Sequence, residues 1–132
     1  MNESVEYLSA EDLVEFARRL LGDPPPIRDM GLLGAAAARP QASAFGEDAY
    51  PNIWTKAAAL LHSVVNNHPL VDGNKRLGWL ATAVFLELND ASVSTATNDA
   101  VYDLVMTVAS TDLAVDDIAG MLRGMGQQRW LT

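Results

Sequence analysis

The 132-residue chain carries a formal net charge of -8 and has no cysteine. That charge argues against a protein built to live on nucleic acid or an anionic membrane, since both repel it. The missing cysteine excludes thiolate nucleophiles and cysteine zinc sites, and it fits a reducing, cytoplasmic setting.

The length suits a single domain over residues 1–132 that buries roughly two-thirds of the surface its unfolded form would expose. The opening Met1-Asn2-Glu3-Ser4-Val5-Glu6 is acidic and polar, so no signal peptide is expected. The longest apolar run, Leu77 to Leu86, is about half of what a bilayer-spanning helix requires.

Ser9 is the expected N-cap of a first helix, with Glu11 and Asp12 at the positive end of its dipole and Leu8 stapled to Leu13. Leu13, Phe16, Ala17, Leu20 and Leu21 share one face, and Gly22 supplies a left-handed stop. Pro24-Pro25-Pro26 forces an extended connection. Asp29 then caps a weaker helix through Leu32, Leu33 and Ala35 to Ala38, which Pro40 ends. Gln41 to Tyr50 has no period and reads as a loop long enough to be a working flap.

Pro51 suits the first position of a third helix, whose stripe is Ile53, Trp54, Ala57, Leu60, Leu61, Val64 and Val65. Asn66-Asn67 and Pro69 stop it. A fourth helix from Asn74 or Lys75 to Leu88 is apolar nearly all round, which predicts that its neighbours surround it. Ser92 to Thr95 is a short extended piece at most. Thr97 or Asn98 caps a fifth helix with Val101, Leu104, Val105 and Val108 inward, and a sixth carries Val115, Ile118, Ala119 and Leu122 before Gly124 and Gly126. With no repeat and no convincing sheet, the fold class is all-α: about six helices around a central buried helix, the fourth.

Between the third and fourth helices lies His68-Pro69-Leu70-Val71-Asp72-Gly73-Asn74-Lys75-Arg76. Taken singly, His68 reads as a helix cap, Asp72-Gly73-Asn74 as a turn, and Lys75 and Arg76 as solvated charges. The dipole at a helix start disfavours those cations, so another interaction has to want them there. Together the nine residues read as a phosphate-handling site. Gly73 and Asn74 open the fourth helix, whose unpartnered N–H groups suit phosphate, and Asn74 can cap the helix and donate an amide hydrogen. Lys75 offers a point charge and Arg76 a planar fork. Asp72 would repel phosphate unless a Mg2+ ion lies between them. His68 is the side-chain type that exchanges a proton near neutral pH, hence a general base.

His62, mid-helix, reads as structural, and Trp54, Trp79 and Trp130 as packing residues. His62, His68 and Asp72 match no zinc spacing, and no Gly-Lys-Ser/Thr of a Walker A pattern occurs.

The run from His68 to Arg76 resembles the signature of the Fic/Doc superfamily, His-x-Phe-x-Asp/Glu-Gly/Ala-Asn-Gly/Lys-Arg. Leu8-Ser9-Ala10-Glu11-Asp12-Leu13, Arg28-Asp29-Met30-Gly31-Leu32-Leu33 and Val84-Phe85-Leu86-Glu87-Leu88-Asn89 resemble its death-on-curing (Doc) branch. The resemblance implies a toxin of a toxin-antitoxin pair that uses ATP and Mg2+ to phosphorylate a threonine of translation elongation factor Tu. It implies His68 as general base, Asp72 as metal ligand, and Gly73, Asn74, Lys75 and Arg76 as the phosphate cradle, with Lys75 and Arg76 also catalytic. Gln41 to Tyr50 would be the flap that receives the target, and an antitoxin would fold a disordered tail along the surface.

Members that transfer AMP usually carry glycine after the asparagine and a second arginine three residues beyond the first. Lys75 and Trp79 stand there instead, which favours γ-phosphate transfer, with AMP transfer or a catalytically idle binding module as alternatives. Two departures bear on the site. Leu70 replaces the usual phenylalanine anchor, and Leu77-Gly78 replaces Thr-Ala, a lost hydroxyl that bears on phosphate contacts.

Overall fold

The computed structural model describes residues 4–128; Met1 to Glu3 and Trp130, read above from sequence, lie outside them. Six helices make an all-α fold: α1 (Ala10–Leu21), α2 (Met30–Ala38), α3 (Ile53–Asn67), α4 (Asn74–Leu88), α5 (Asn98–Ser110) and α6 (Val115–Met125). None is long and apolar enough to cross a membrane, among the described residues.

Side-chain capping fixes most of the helix starts. Ser9 and Asp12 form a reciprocal capping box on α1, Asp29 accepts from the Leu32 N–H at 3.0 Å, and Thr97 accepts from that of Ala100 at 3.1 Å. At α3 the expectation for Pro51 is corrected: Asn52 is the cap, exchanging hydrogen bonds with Thr55 at 2.9 and 3.2 Å, and this box puts Pro51 outside the helix. Gly22 does end α1 at a positive φ of 109°, but its ψ of 170° is extended and not the left-handed helical turn expected. Pro40 tightens the end of α2 into a 3-10 turn, Arg39–Gln41. Gly124 stays inside α6, which ends at Gly126.

Residues 41–50 are no loop. Strands β1 (Ser43–Ala44) and β2 (Glu47–Asp48) pair antiparallel across Phe45-Gly46. Both turn residues have positive φ, 54° and 81°, as two-residue hairpins require. A second ribbon pairs β3 (Ala91–Ser92) with β4 (Gln127–Gln128). Strands of two residues are too short for alternation to betray them.

The central helix is α3, and not α4 as its sequence suggested. Eleven of fifteen residues of α3 are buried, against seven of fifteen in α4, and α3 packs on α2, α4, α5, α6 and the 3-10 turn. In α4, Leu77, Ala81, Phe85 and Leu86 face the core, but Trp79, Leu80, Ala83 and Val84 are only half-buried and Leu88 is exposed. The apolar surplus of α4 forms one wall of an open groove. Gly78 sits at the α3–α4 crossing, where a Cβ would lie 2.9 Å from Val65 Cγ2, so a side chain there would push the two helices apart.

Arg39 stitches the 3-10 turn to α3. Its Nη1 meets Ser63 Oγ and His62 Nδ1 at 2.9 Å each and the Ala59 carbonyl at 3.3 Å, while Nε meets Tyr50 Oη at 2.9 Å. Because arginine only donates, His62 Nδ1 accepts and the ring is neutral in this network. His62 is thus structural. Burial, then the Arg39 charge, lowers its pKa below the ordinary 6.5, opposed by Asp112. A depressed pKa contributes stability that is present above about pH 6.5 and is lost as pH falls through the folded value. Wild-type protein should therefore lose more thermal stability than His62→Gln between about pH 7.5 and about pH 5, which thermal melts at both pH values measure.

Candidate active site

The connection between α3 and α4 is held from three sides. Asn67 ends α3 and His68 follows in the left-handed conformation, φ 54° and ψ 60°. A residue other than glycine needs outside help there. Arg28 supplies it: its Nε donates to the His68 carbonyl at 2.7 Å and its Nη2 to that of Asn67 at 3.0 Å. The backbone of the proline-rich connection runs alongside, with the Arg28 and Asp29 N–H groups on the Pro69 carbonyl at 2.8 and 3.0 Å and the Val71 N–H on Pro26 at 2.8 Å.

From the inside, Leu70 is fully buried and serves as the anchor despite replacing the larger phenylalanine. Asn74 locks it. The Asn74 Oδ1 accepts from the Leu70 N–H at 2.9 Å, and its Nδ2 donates to the Leu70 carbonyl at 3.0 Å. The expectation that the Asn74 side chain caps α4 is thereby corrected: its oxygen and one of its two amide hydrogens hold the loop. Gly73 takes the cap position at φ 86°, and a Cβ there would lie 2.7 Å from Leu21 Cδ1. The conformation calls for glycine, and any larger residue would also have to displace the Leu21 side chain.

The first hydrogen bond of α4 runs from the Leu77 N–H to Gly73, so the amides of Asn74, Lys75 and Arg76 precede it and lack helical partners. His68, Asp72, Gly73, Asn74, Lys75 and Arg76 line one cavity of about 520 Å³ together with Val65, Val71 and Ala109. That volume lies within the range of small-molecule pockets, about 300–1,000 Å³. His68, Asp72, Lys75 and Arg76 are all exposed. Leu77 is buried in the core and Gly78 faces α3, so the hydroxyl that Leu77-Gly78 lacks would not have pointed at this cavity.

One Asp72 oxygen accepts from the Gly73 N–H at 2.9 Å. No cluster of three or more metal-ligating side chains occurs among the described residues. A single carboxylate fits a Mg2+ ion that arrives on a triphosphate and keeps its waters, and does not fit a resident metal site.

A second, apolar-walled cavity of about 570 Å³ runs between α4 and α5, lined by Trp79, Leu80, Val101, Tyr102, Val105 and Met106 among others, with Lys75 and Arg76 at its head. Both cations therefore border both cavities. Sequence reasoning placed Arg28 only in a run resembling the Doc branch and found neither its role nor that of this groove. The signal for the groove was the all-round apolarity of α4. For Arg28, a single side chain 40 positions from the carbonyl it holds, no local signal exists.

The Fic/DOC family model matches residues 7–86 of the chain. Toxin Doc of Mycolicibacterium smegmatis is 47% identical over 120 residues, which cover 90% of this chain and 92% of that protein.

Proposed function

Because this chain belongs to the Fic/DOC family, we propose that it is the toxin of a toxin-antitoxin system, an ATP-dependent phosphotransferase that modifies a Ser/Thr hydroxyl of translation elongation factor Tu in the cytoplasm and so arrests translation. The observation that carries this reading is the convergence of His68, Asp72 and the leading amides and cations of α4 on one cavity.

His68 accepts the proton of the target hydroxyl, whose oxygen bonds to the γ-phosphorus as the bond to the β-phosphate oxygen breaks and ADP leaves. The free amides of Asn74, Lys75 and Arg76 meet the phosphate oxygens as the positive end of a helix, joined by the Lys75 ammonium and the Arg76 guanidinium. Asp72 would hold Mg2+, which supplies charge neutralisation on the phosphates when bound. In this role Asn74 acts by its backbone, its side chain keeping the loop in shape.

Two features favour γ-phosphate over AMP transfer. Lys75 fills the position that glycine keeps open in AMP transferases. Trp79, where those enzymes carry their second arginine, lines the apolar groove and gives no phosphate ligand.

The cognate antitoxin is a partner that binds this groove through a tail that folds into an amphipathic helix. Burying the exposed Tyr102 and Met106 with Trp79 supplies the apolar anchor. A carboxylate at the head of the groove would engage Lys75 and Arg76 and take from phosphate the cations it needs. The β1–β2 hairpin is the flap on which the target peptide lies.

Arg28 is a positioning residue for His68. Arg28→Ala should lower kcat about ten- to a hundredfold by letting the base drift, with the KM for ATP little changed, and cost about 1 kcal/mol of stability. Steady-state kinetics and a denaturation curve check both.

Purified protein, Mg2+, elongation factor Tu and ATP labelled at either the α or the γ position test the whole reading. Transfer of the γ-label alone supports it. Transfer of the α-label makes the protein an AMP transferase, and no transfer from either makes it a binding module.

A further inference from the structure

Lys56 is 2% exposed, in the first turn of α3 among the apolar residues of its stripe. A buried ammonium is costly, and an apolar residue of the same volume would pack α3 at least as well. What Lys56 touches explains its presence. Its Nζ donates to Asp48 Oδ2 at 3.1 Å, on the exit strand of the hairpin, and to the Pro40 carbonyl at 3.3 Å, on the entry leg. The Tyr7 ring lies 5.6 Å from it.

The hairpin has little else to hold it. Every residue from 41 to 49 is exposed, and β1 and β2 pair only with each other. An isolated two-stranded hairpin is marginal in water. Its base is bracketed twice, by Lys56 with Pro40 and Asp48 and by Arg39 with Tyr50, while its tip, Phe45, stands fully in solvent.

We propose that Lys56 is a positioning residue that clamps both legs of the β1–β2 hairpin to α3 and so fixes where a protein substrate is presented. Lys56 lies on α3 and His68 directly follows the end of that helix, about 18 Å further along at 1.5 Å per residue. A clamp on Lys56 therefore sets the hairpin relative to the base. This inference rests on the reading of the hairpin as the target-binding flap.

Lys56→Met separates positioning from packing. The thermal midpoint should hold or rise, because a buried charge is replaced by an apolar chain of similar length. Hydrogen exchange of the Ala49 N–H, which pairs with Ala42 across the base of the hairpin, should become faster. The KM for elongation factor Tu should rise about tenfold, with kcat and the KM for ATP within about twofold. Asp48→Asn, which changes only the exposed end of the pair, should move exchange and KM in the same direction.

Unchanged hairpin exchange together with an unchanged KM for the protein target, in both variants, overturns the proposal, as does an equal rise in both KM values. If wild-type protein transfers no phosphate to elongation factor Tu, the parent reading has failed, and exchange alone decides the clamp: faster supports it, unchanged overturns it.

Discussion

His68→Ala is expected to lower phosphate transfer by about 10² to 10⁴, the usual worth of a positioned general base, and to leave the fold in place. The side chain is exposed and its own carbonyl, not its ring, is what Arg28 holds. Stability should therefore change by no more than about 0.5 kcal/mol. The two halves of the expectation must be measured together, as rate of label transfer and as denaturation midpoint. A folded variant with full activity would remove the imidazole from the chemistry, and one that still arrests growth on expression without transferring phosphate would favour action by binding alone.

Asn74→Ala should have the largest effect on stability. Among the described residues the amide group is the one partner of the Leu70 N–H, and it satisfies the Leu70 carbonyl as well, at 2.9 and 3.0 Å in the protein interior. Removing it leaves two buried backbone groups unpaired at about 1–3 kcal/mol each, so a loss of about 2–6 kcal/mol is expected. Activity falls with it, because the same loop carries His68 and Asp72. Asn74→Asp keeps the acceptor but sets a carboxylate against the Leu70 carbonyl, and it should rescue little. An Asn74 that served as a phosphate donor would behave differently: the KM for ATP would rise in both variants and the denaturation midpoint would stay.

The helix starts were legible because capping is local: Ser9, Asp29 and Thr97 each bond an amide three residues away. The nine-residue site was legible because its chemistry is contiguous in the chain and sits where a helix start exposes N–H groups. Long-range effects were not. The choice of α3 over α4 as the central helix depends on which neighbours arrive, and α4 spends part of its apolar surface on an open groove. Asn74 looked like a cap, since nothing in the sequence says that Leu70 needs both of its backbone partners from one side chain. Lys56 did leave a trace, a cation four residues before Leu60 in an otherwise apolar stripe. Its meaning requires the hairpin, whose strands are too short to announce themselves.

The proposed chemistry requires a nucleotide to bind at the start of α4. Mg2+ and ATP titrated into the isotopically labelled protein, followed by amide NMR, test this without any target protein. The expected result is a saturable shift of the Gly73, Asn74, Lys75 and Arg76 amides and of the His68 ring, abolished in Asp72→Ala without Mg2+ rescue. Shifts confined to the α4–α5 groove, or no shift at the start of α4 at millimolar ATP, would contradict it.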